Sequence, residues 1–407
     1  MNVSYLVLVG ALALVVSGSF PVSPVGSGGI NSAIRGGALL LSFSSLFYLA
    51  WQLRTPLPYI VRSFPISLLV FLFFCAVSLL WSIDQGATLS RSLESFLTFS
   101  FLAFWCGVIQ HRTGEPADIA AVVSWALLAS ILYGLFLNTL LIGTPFHFWL
   151  NPEVPDRPRL VLGYNHALYT GDIIALAIIA MFFTRWSKVI VFMCSGGLLY
   201  LLILTDATAA RFMVLPCLLI AFVDAGRGFG GKIGRTVLLI AFSVALISLA
   251  ILDPSLLGQT GQNQRYETLT GRTAIWTAIF GSGLAETMLG TGFDASRPAI
   301  QIIYGVAYHA HNQYLSVLVE LGVVGAFLFV IVLISWFSSL AKNLSGFQIS
   351  FGLYALAVSM TNVGMFTRIN MMIPFALSFF LNASGVSQRL PVRSPRVSAE
   401  QHAASLK

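Results

Sequence analysis

The sequence predicts an all-α polytopic membrane protein with about twelve transmembrane helices and a large outer loop that contains short helices. Three observations lead there. Of 407 residues, 57% are hydrophobic and 9% are charged, against roughly 25% charged in soluble domains. Apolar runs long enough to cross a bilayer recur along the whole chain. The runs are continuous, so the short alternating segments of an outer-membrane barrel are excluded.

The expected spans lie near 3–19, 36–52, 64–83, 94–110, 118–142, 166–184, 188–204, 209–223, 236–252, 321–340, 347–365 and 371–384. The first run is short and precedes "SGSFPVSPVGSGG", which would suit a signal peptide. It lacks a basic leading region and is therefore read as a span. No internal repeat is visible. Residues 1–384 are expected to form one transmembrane domain, including an outer loop at about 253–310, and 385–407 a polar cytoplasmic tail.

Basic residues set the orientation. With a cytoplasmic N-terminus, thirteen of the twenty-two fall inside and nine outside, which supports both termini in the cytoplasm. The sequence pI of 9.4 then reflects orientation and gives no reason to expect nucleic-acid binding. Cys75, Cys106, Cys194 and Cys217 all lie in apolar spans, away from any loop disulfide.

Two outer segments exceed simple connectors: 143–165, "GTPFHFWLNPEVPDRPRLVLGYN", and 253–310. Loops of that length usually carry function when they are rich in apolar residues. "RTAIWTAIFGSGL" reads as a short helix after Gly271. The acids Asp172, Asp206 and Glu320 sit towards outer span ends, and span middles carry almost no charge. A proton- or ion-coupled transporter would place ionisable groups near the midplane, so this pattern argues for chemistry at the outer membrane–water boundary. No ATP is present outside the cytoplasmic membrane, and bond formation there needs a pre-activated substrate such as a lipid-linked diphosphate. Arginine suits the diphosphate through its planar fork. Histidine suits proton transfer because its pKa lies near the working pH.

Four stretches then carry a resemblance. "GRTAIWTAIFGSGLAETMLGTGFD" and "HNQYLSVLVELGVVG" resemble the two signatures of the O-antigen ligase/polymerase superfamily: Gly-Arg before a Trp-containing helix and Gly-x-Gly, and His-Asn before Glu-x-Gly-x-x-Gly. "LTDATAARFMVLP" is similar to its arginine-bearing span start, and "LGYNHALYTGDIIALAI" to an earlier span start. The resemblance implies a GT-C-like fold and a metal-independent, inverting glycosyltransferase in the bacterial inner membrane, active on the periplasmic face without a cofactor. Its donor would be glycan on undecaprenyl diphosphate and its acceptor lipid A–core, the ligase branch. A repeat-unit polymerase would use the same donor. The protein O-oligosaccharyltransferase branch commonly carries a further C-terminal domain that this sequence does not show. A transporter of the lipid-linked glycan is the alternative from another class.

The resemblance maps its functional positions to Arg211, Arg272 and His311. His311 would be a base or orienting group for the acceptor hydroxyl; its plain alternative is a helix-capping histidine. His309, two residues away, is read as a loop or substrate contact. A metal held by both histidines with Asp294 is the weaker reading. Arg211 is either an interfacial anchor or an anion ligand at a helix start, with Asp206 as its resting partner. Arg272 would hold the diphosphate. Arg265, Arg297, Arg157, Arg159 and Asn312 are further substrate-binding candidates. Gln313, Ser316 and Glu320 form a polar stripe, Glu320 and Asp172 are read as structural, and Gly322 and Gly325 as packing glycines.

Overall fold

The structure is a computed structural model that describes residues 3–18, 28–55, 64–113, 115–151, 154–163, 166–225, 272–305, 309–342, 345–361 and 364–383. Its helices are α1 (Val3–Ser17), α2 (Gly28–Gln52), α3 (Ile66–Val77), α4 (Gln85–Thr113), α5 (Pro116–Ile142), α6 (Ala167–Phe182), α7 (Lys188–Leu204) and α8 (Thr208–Ala225). They continue as α9 (Arg272–Gly281), α10 (Ser296–Tyr304), α11 (Gln313–Lys342), α12 (Gly346–Ser359) and α13 (Ile369–Ala383).

Eleven of the expected spans coincide with apolar helices. Four stretches, Ala33–Gln52, Gln85–Arg112, Pro116–Ile142 and Gln313–Ala341, are long and apolar enough to cross a bilayer. The expected span at 236–252, Arg265, the part of the outer loop before Arg272 and the tail 385–407 lie outside the described residues. Local chemistry explains several helix ends. Ser187 and Ser345 accept from Ile190 N and Gln348 N, both at 3.3 Å, as N-caps. Pro116 opens α5, and Gly143 closes it in the left-handed region.

Helix–helix contacts join α1 to α2 and α6-side neighbours through α5, while α12 packs on α8 and α13. The interior holds a phenylalanine cluster in which Phe366 meets Phe71 at 4.7 Å, Phe329 at 5.5 Å and Phe375 at 5.8 Å between ring centroids. Two buried tryptophans are bonded across helices, as water-free packing favours. Trp105 Nε1 donates to Leu8 O at 3.0 Å and Trp336 Nε1 to Ser378 Oγ at 3.0 Å.

The helical expectation holds for the bundle, and the segment 143–165 adds an antiparallel hairpin. Strand β1 (His147–Asn151) pairs with β2 (Val154–Val161), with Trp149 opposite Arg159. Asn138, buried at the end of α5, holds both feet of the hairpin. Its Nδ2 donates to Pro145 O at 3.0 Å and Val161 O at 2.8 Å, and its Oδ1 accepts from Gly163 N at 2.7 Å.

Helix α11 begins at Gln313, earlier than the expected span at 321–340, and it is broken at Gly322 (φ 65°, ψ −165°). Residues 287–292 enter the break. Thr291 N and Gly292 N donate to Val319 O and Glu320 O at 3.0 and 2.8 Å, while Val323 N and Val324 N donate to Thr287 O and Met288 O at 3.0 and 3.1 Å. A Cβ on Gly322 would lie 2.5 Å from the Met288 carbonyl. The expectation that Gly322 serves helix packing is therefore replaced: it opens the helix so that a loop can pair with it.

Candidate functional site

The described part of the outer loop, from Arg272 on, packs on the first half of α11. Ile275, Ile279, Ala285, Ala299, Ile300, Ala310, Leu315 and Val319 form a small apolar core of their own, separate from the main one. Downstream of the clasp, Phe293 is buried between α3 and α4. Its N–H donates to Ser78 Oγ at 3.0 Å and its carbonyl accepts from Thr88 Oγ1 at 2.7 Å. Glu320 takes the structural place expected for it, though its partner is the loop and not another span: its carboxylate accepts from Asp294 N at 3.0 Å and caps the approach to α10.

His311 sits just ahead of α11. Trp276, from the second turn of α9, donates Nε1–H to Ala310 O at 2.8 Å, so the helix that begins with Arg272 grips the backbone between the two histidines. His311 has φ 51°, in the left-handed region that a non-glycine residue enters rarely. Asp206 (φ 51°) and Asp294 (φ 58°) share that conformation. Arg54 (φ 48°), away from this region, is the fourth such residue among those described. Asn312 turns its Oδ1 to Leu315 N at 3.1 Å, acting as the cap of α11. It also lines a groove of about 310 Å³ with Trp276, Phe280, Tyr314, Leu315 and Leu318.

The site is electropositive. Burial, followed by the charges of Arg272, His166 and Arg297, pushes His311 down to about 4 from its ordinary 6.5. Burial, followed by Arg297 and Arg368, pushes His309 down to about 3. Both rings are therefore neutral at neutral pH, the form a proton acceptor needs. Burial also lowers the pKa of Arg272, which forms no ion pair among the described residues.

Arg211, in the first turn of α8, meets Asp206 Oδ1 at 2.5 Å, the resting pair expected from the sequence. Arg159, from β2, takes the other oxygen of Asp206 at 3.4 Å. Two guanidiniums thus share one carboxylate. The Nε atoms of Arg159 and Arg211 are buried and lack a hydrogen-bond partner among the described residues. Arg297 is exposed on α10, and Asp294 is engaged by Arg91 Nε at 3.2 Å. Arg157 lies on β2, but its side chain is outside the described residues, as is all of Arg265. Among the described residues no three His, Cys, Asp or Glu side chains gather as a metal cluster.

The structure adds side chains to which the sequence assigns no substrate role. His166 packs between Trp149 of the hairpin and Tyr169 of α6, with ring centroids 5.2 and 5.7 Å away. Arg368 places its guanidinium carbon 5.2 Å from the centre of the Tyr169 ring. Asp172, one turn below Tyr169, is buried and accepts from Tyr354 Oη at 2.7 Å and Asn370 Nδ2 at 2.8 Å. The sequence signal for these residues was an isolated polar group beside an apolar run, which many interfacial residues share.

The fold and this site define a class: a helical membrane-type protein in which a loop docked into a broken helix carries Arg272 near the turn of His311. A model of the O-antigen ligase family matches residues 167–330, a stretch that includes Arg211, Arg272 and His311. The match supports the O-antigen ligase/polymerase superfamily, whose members are glycosyltransferase-like enzymes. No curated protein and no solved structure matches the chain.

Proposed function

We propose that the chain is an O-antigen ligase: a multi-pass inner-membrane glycosyltransferase, with both termini cytoplasmic and its active site on the periplasmic face. It moves glycan from undecaprenyl diphosphate to a hydroxyl of lipid A–core. Arg272 and Arg211 hold the donor diphosphate. His311 accepts the proton of the acceptor hydroxyl as its oxygen attacks the anomeric carbon. The carbon–oxygen bond to the diphosphate breaks, the prenyl diphosphate leaves with the electron pair, and the anomeric centre inverts. No metal or cofactor takes part in this scheme, because the diphosphate is already a good leaving group. The groove beside Asn312 is of a kind to take part of the prenyl chain.

The observation that carries this reading is the Trp276–Ala310 hydrogen bond, which ties the helix opened by Arg272 to the strained turn of His311. A diphosphate-binding cation and a neutral histidine are thereby fixed to one another.

The test is a His311→Ala variant in a strain lacking the gene. Lost base catalysis is worth about 10²–10⁴ in rate, so the gel should show uncapped lipid A–core while long glycan accumulates on the prenyl lipid. Single repeat units attached to core would instead indicate the polymerase. Wild-type capping in the variant would refute the role given to His311.

A further inference from the structure

Arg368 lies beyond the matched segment and in no sequence signature, yet its backbone is held on both sides. Its N–H donates to Gly364 O at 2.8 Å, and its carbonyl accepts from Met371 N and Met372 N at 3.0 and 2.9 Å, which starts α13. Gly364 has φ 127°, and a Cβ there would collide with the Arg368 side chain, so the turn is shaped to let this arginine fold back over it.

The turn is itself held from the histidine loop. Gln313 Oε1, buried at the start of α11, accepts from Gly364 N at 2.7 Å and Met365 N at 2.9 Å. Gln313 stands two residues after His311. It therefore fixes the arginine turn to the segment that carries the candidate base. On the other side, the Asp172–Asn370 and Asp172–Tyr354 hydrogen bonds lock α13 to α6 and α12. That lock sets Arg368 against Tyr169, and Tyr169 against His166.

An interfacial anchoring arginine needs none of this: it reaches the boundary through a free side chain. Stacking on one tyrosine contributes only about 0.5–1 kcal/mol at an exposed site, and explains neither the glycine turn nor the buried glutamine. Arg368 also forms no ion pair with a carboxylate among the described residues, and its charge reaches His309. A guanidinium held over a shaped turn, with its charge acting on His166, His309 and Asp294 and no carboxylate within ion-pair distance among the described residues, is a ready ligand for a phosphate oxygen.

We infer that Arg368 is a further donor-binding residue, whose guanidinium contacts the lipid-linked diphosphate together with Arg272, and that Gln313 is a positioning residue for it. The inference rests on the donor reading above.

The test uses the full chain in nanodiscs, with prenyl-diphosphate-linked glycan as donor and inorganic diphosphate as a competing probe. In Arg368→Ala, donor KM and the diphosphate inhibition constant should both rise by about ten-fold or more, as loss of a charge-assisted contact predicts. Acceptor KM should stay within about two-fold and Tm within about 2 °C. Arg368→Lys should recover part of the donor affinity, and Gln313→Ala should show a smaller rise of the same kind. If Arg368→Ala aggregates, Arg368→Lys and Arg368→Gln carry the same comparison.

Unchanged donor KM and diphosphate inhibition in the Arg368 variants, with both raised in Arg272→Ala, would overturn the inference alone. So would a fall in Tm and kcat with diphosphate inhibition unchanged, which would mark a structural role. Wild-type behaviour in Arg272→Ala and His311→Ala as well would instead remove the donor reading beneath it.

Discussion

Arg159 and Arg211 share the carboxylate of Asp206, whereas Arg272 and Arg368 form no ion pair among the described residues. The first group keeps a net charge of +1 (two guanidiniums less one carboxylate) in a self-contained cluster. The second group is half-buried without such a pair, and the helix and turn that carry it must bear the cost of partial desolvation. The difference separates two tasks. A shared carboxylate pre-orders two forks, while an unpaired guanidinium gains most when an anion arrives.

The sharpest way to break the comparison is to remove one member of each group. Arg272→Ala should lower transfer by about 10²–10³, the range for loss of a preorganised charge donor. Its Tm should hold or rise, because no carboxylate is orphaned. Arg211→Ala leaves Arg159 on Asp206 and should cost only about ten-fold in kcat/KM. Steady-state transfer and thermal unfolding on the same preparations would check both, and equal losses would end the distinction.

A titration sharpens it next. His311 is held near 4, below its ordinary 6.5, by burial and by cations that include Arg272. The acid limb of kcat/KM should therefore lie well below 6.5, and move upward in Arg272→Ala as that positive neighbour is lost. The same shift acts on stability. Between pH 6.5 and about 4 the unfolded chain binds a proton that the folded site refuses, so stability falls as pH is lowered through that window. A pH series of kcat/KM and Tm measures both.

The smallest expected effect comes from Asp206→Asn. Asparagine tolerates the left-handed backbone of this position, so the chain should fold with a modest fall in Tm. Freed of its carboxylate, the Arg159–Arg211 pair should bind inorganic diphosphate about two- to five-fold more tightly. Weaker inhibition would show that Asp206 orders the two arginines more than it neutralises them.

Much of this arrangement was legible in the sequence because hydropathy and motifs are local. The apolar runs placed eleven helices, "RTAIWTAIFG" gave α9, and the nearness of Asp206 to the start of α8 suggested its pair with Arg211. What stayed hidden depends on contacts between distant segments. Arg368 is one arginine in an apolar stretch until Gln313 and Tyr169 are brought to it. The first 150 residues carry no motif, yet Ser78 and Thr88 hold the loop at Phe293. The break at Gly322 is invisible to hydropathy because the residues on both sides are equally apolar.

That break has a consequence for how the loop can change over time. Loop 287–292 and helix α11 recognise each other through four main-chain hydrogen bonds. Main-chain recognition constrains the path of the chain and leaves most of its lettering free. Met288 and Leu289 already face outward, so new side chains at those places would meet the surroundings while the clasp persists. Gly290, Gly292 and Gly322 are tied to their places by lack of room, and buried Thr291 by its hydroxyl bond to Val319 O. The loop is thus an exchangeable part on a fixed fitting, through which neighbouring specificity could drift while His311 and Arg272 keep their relative position.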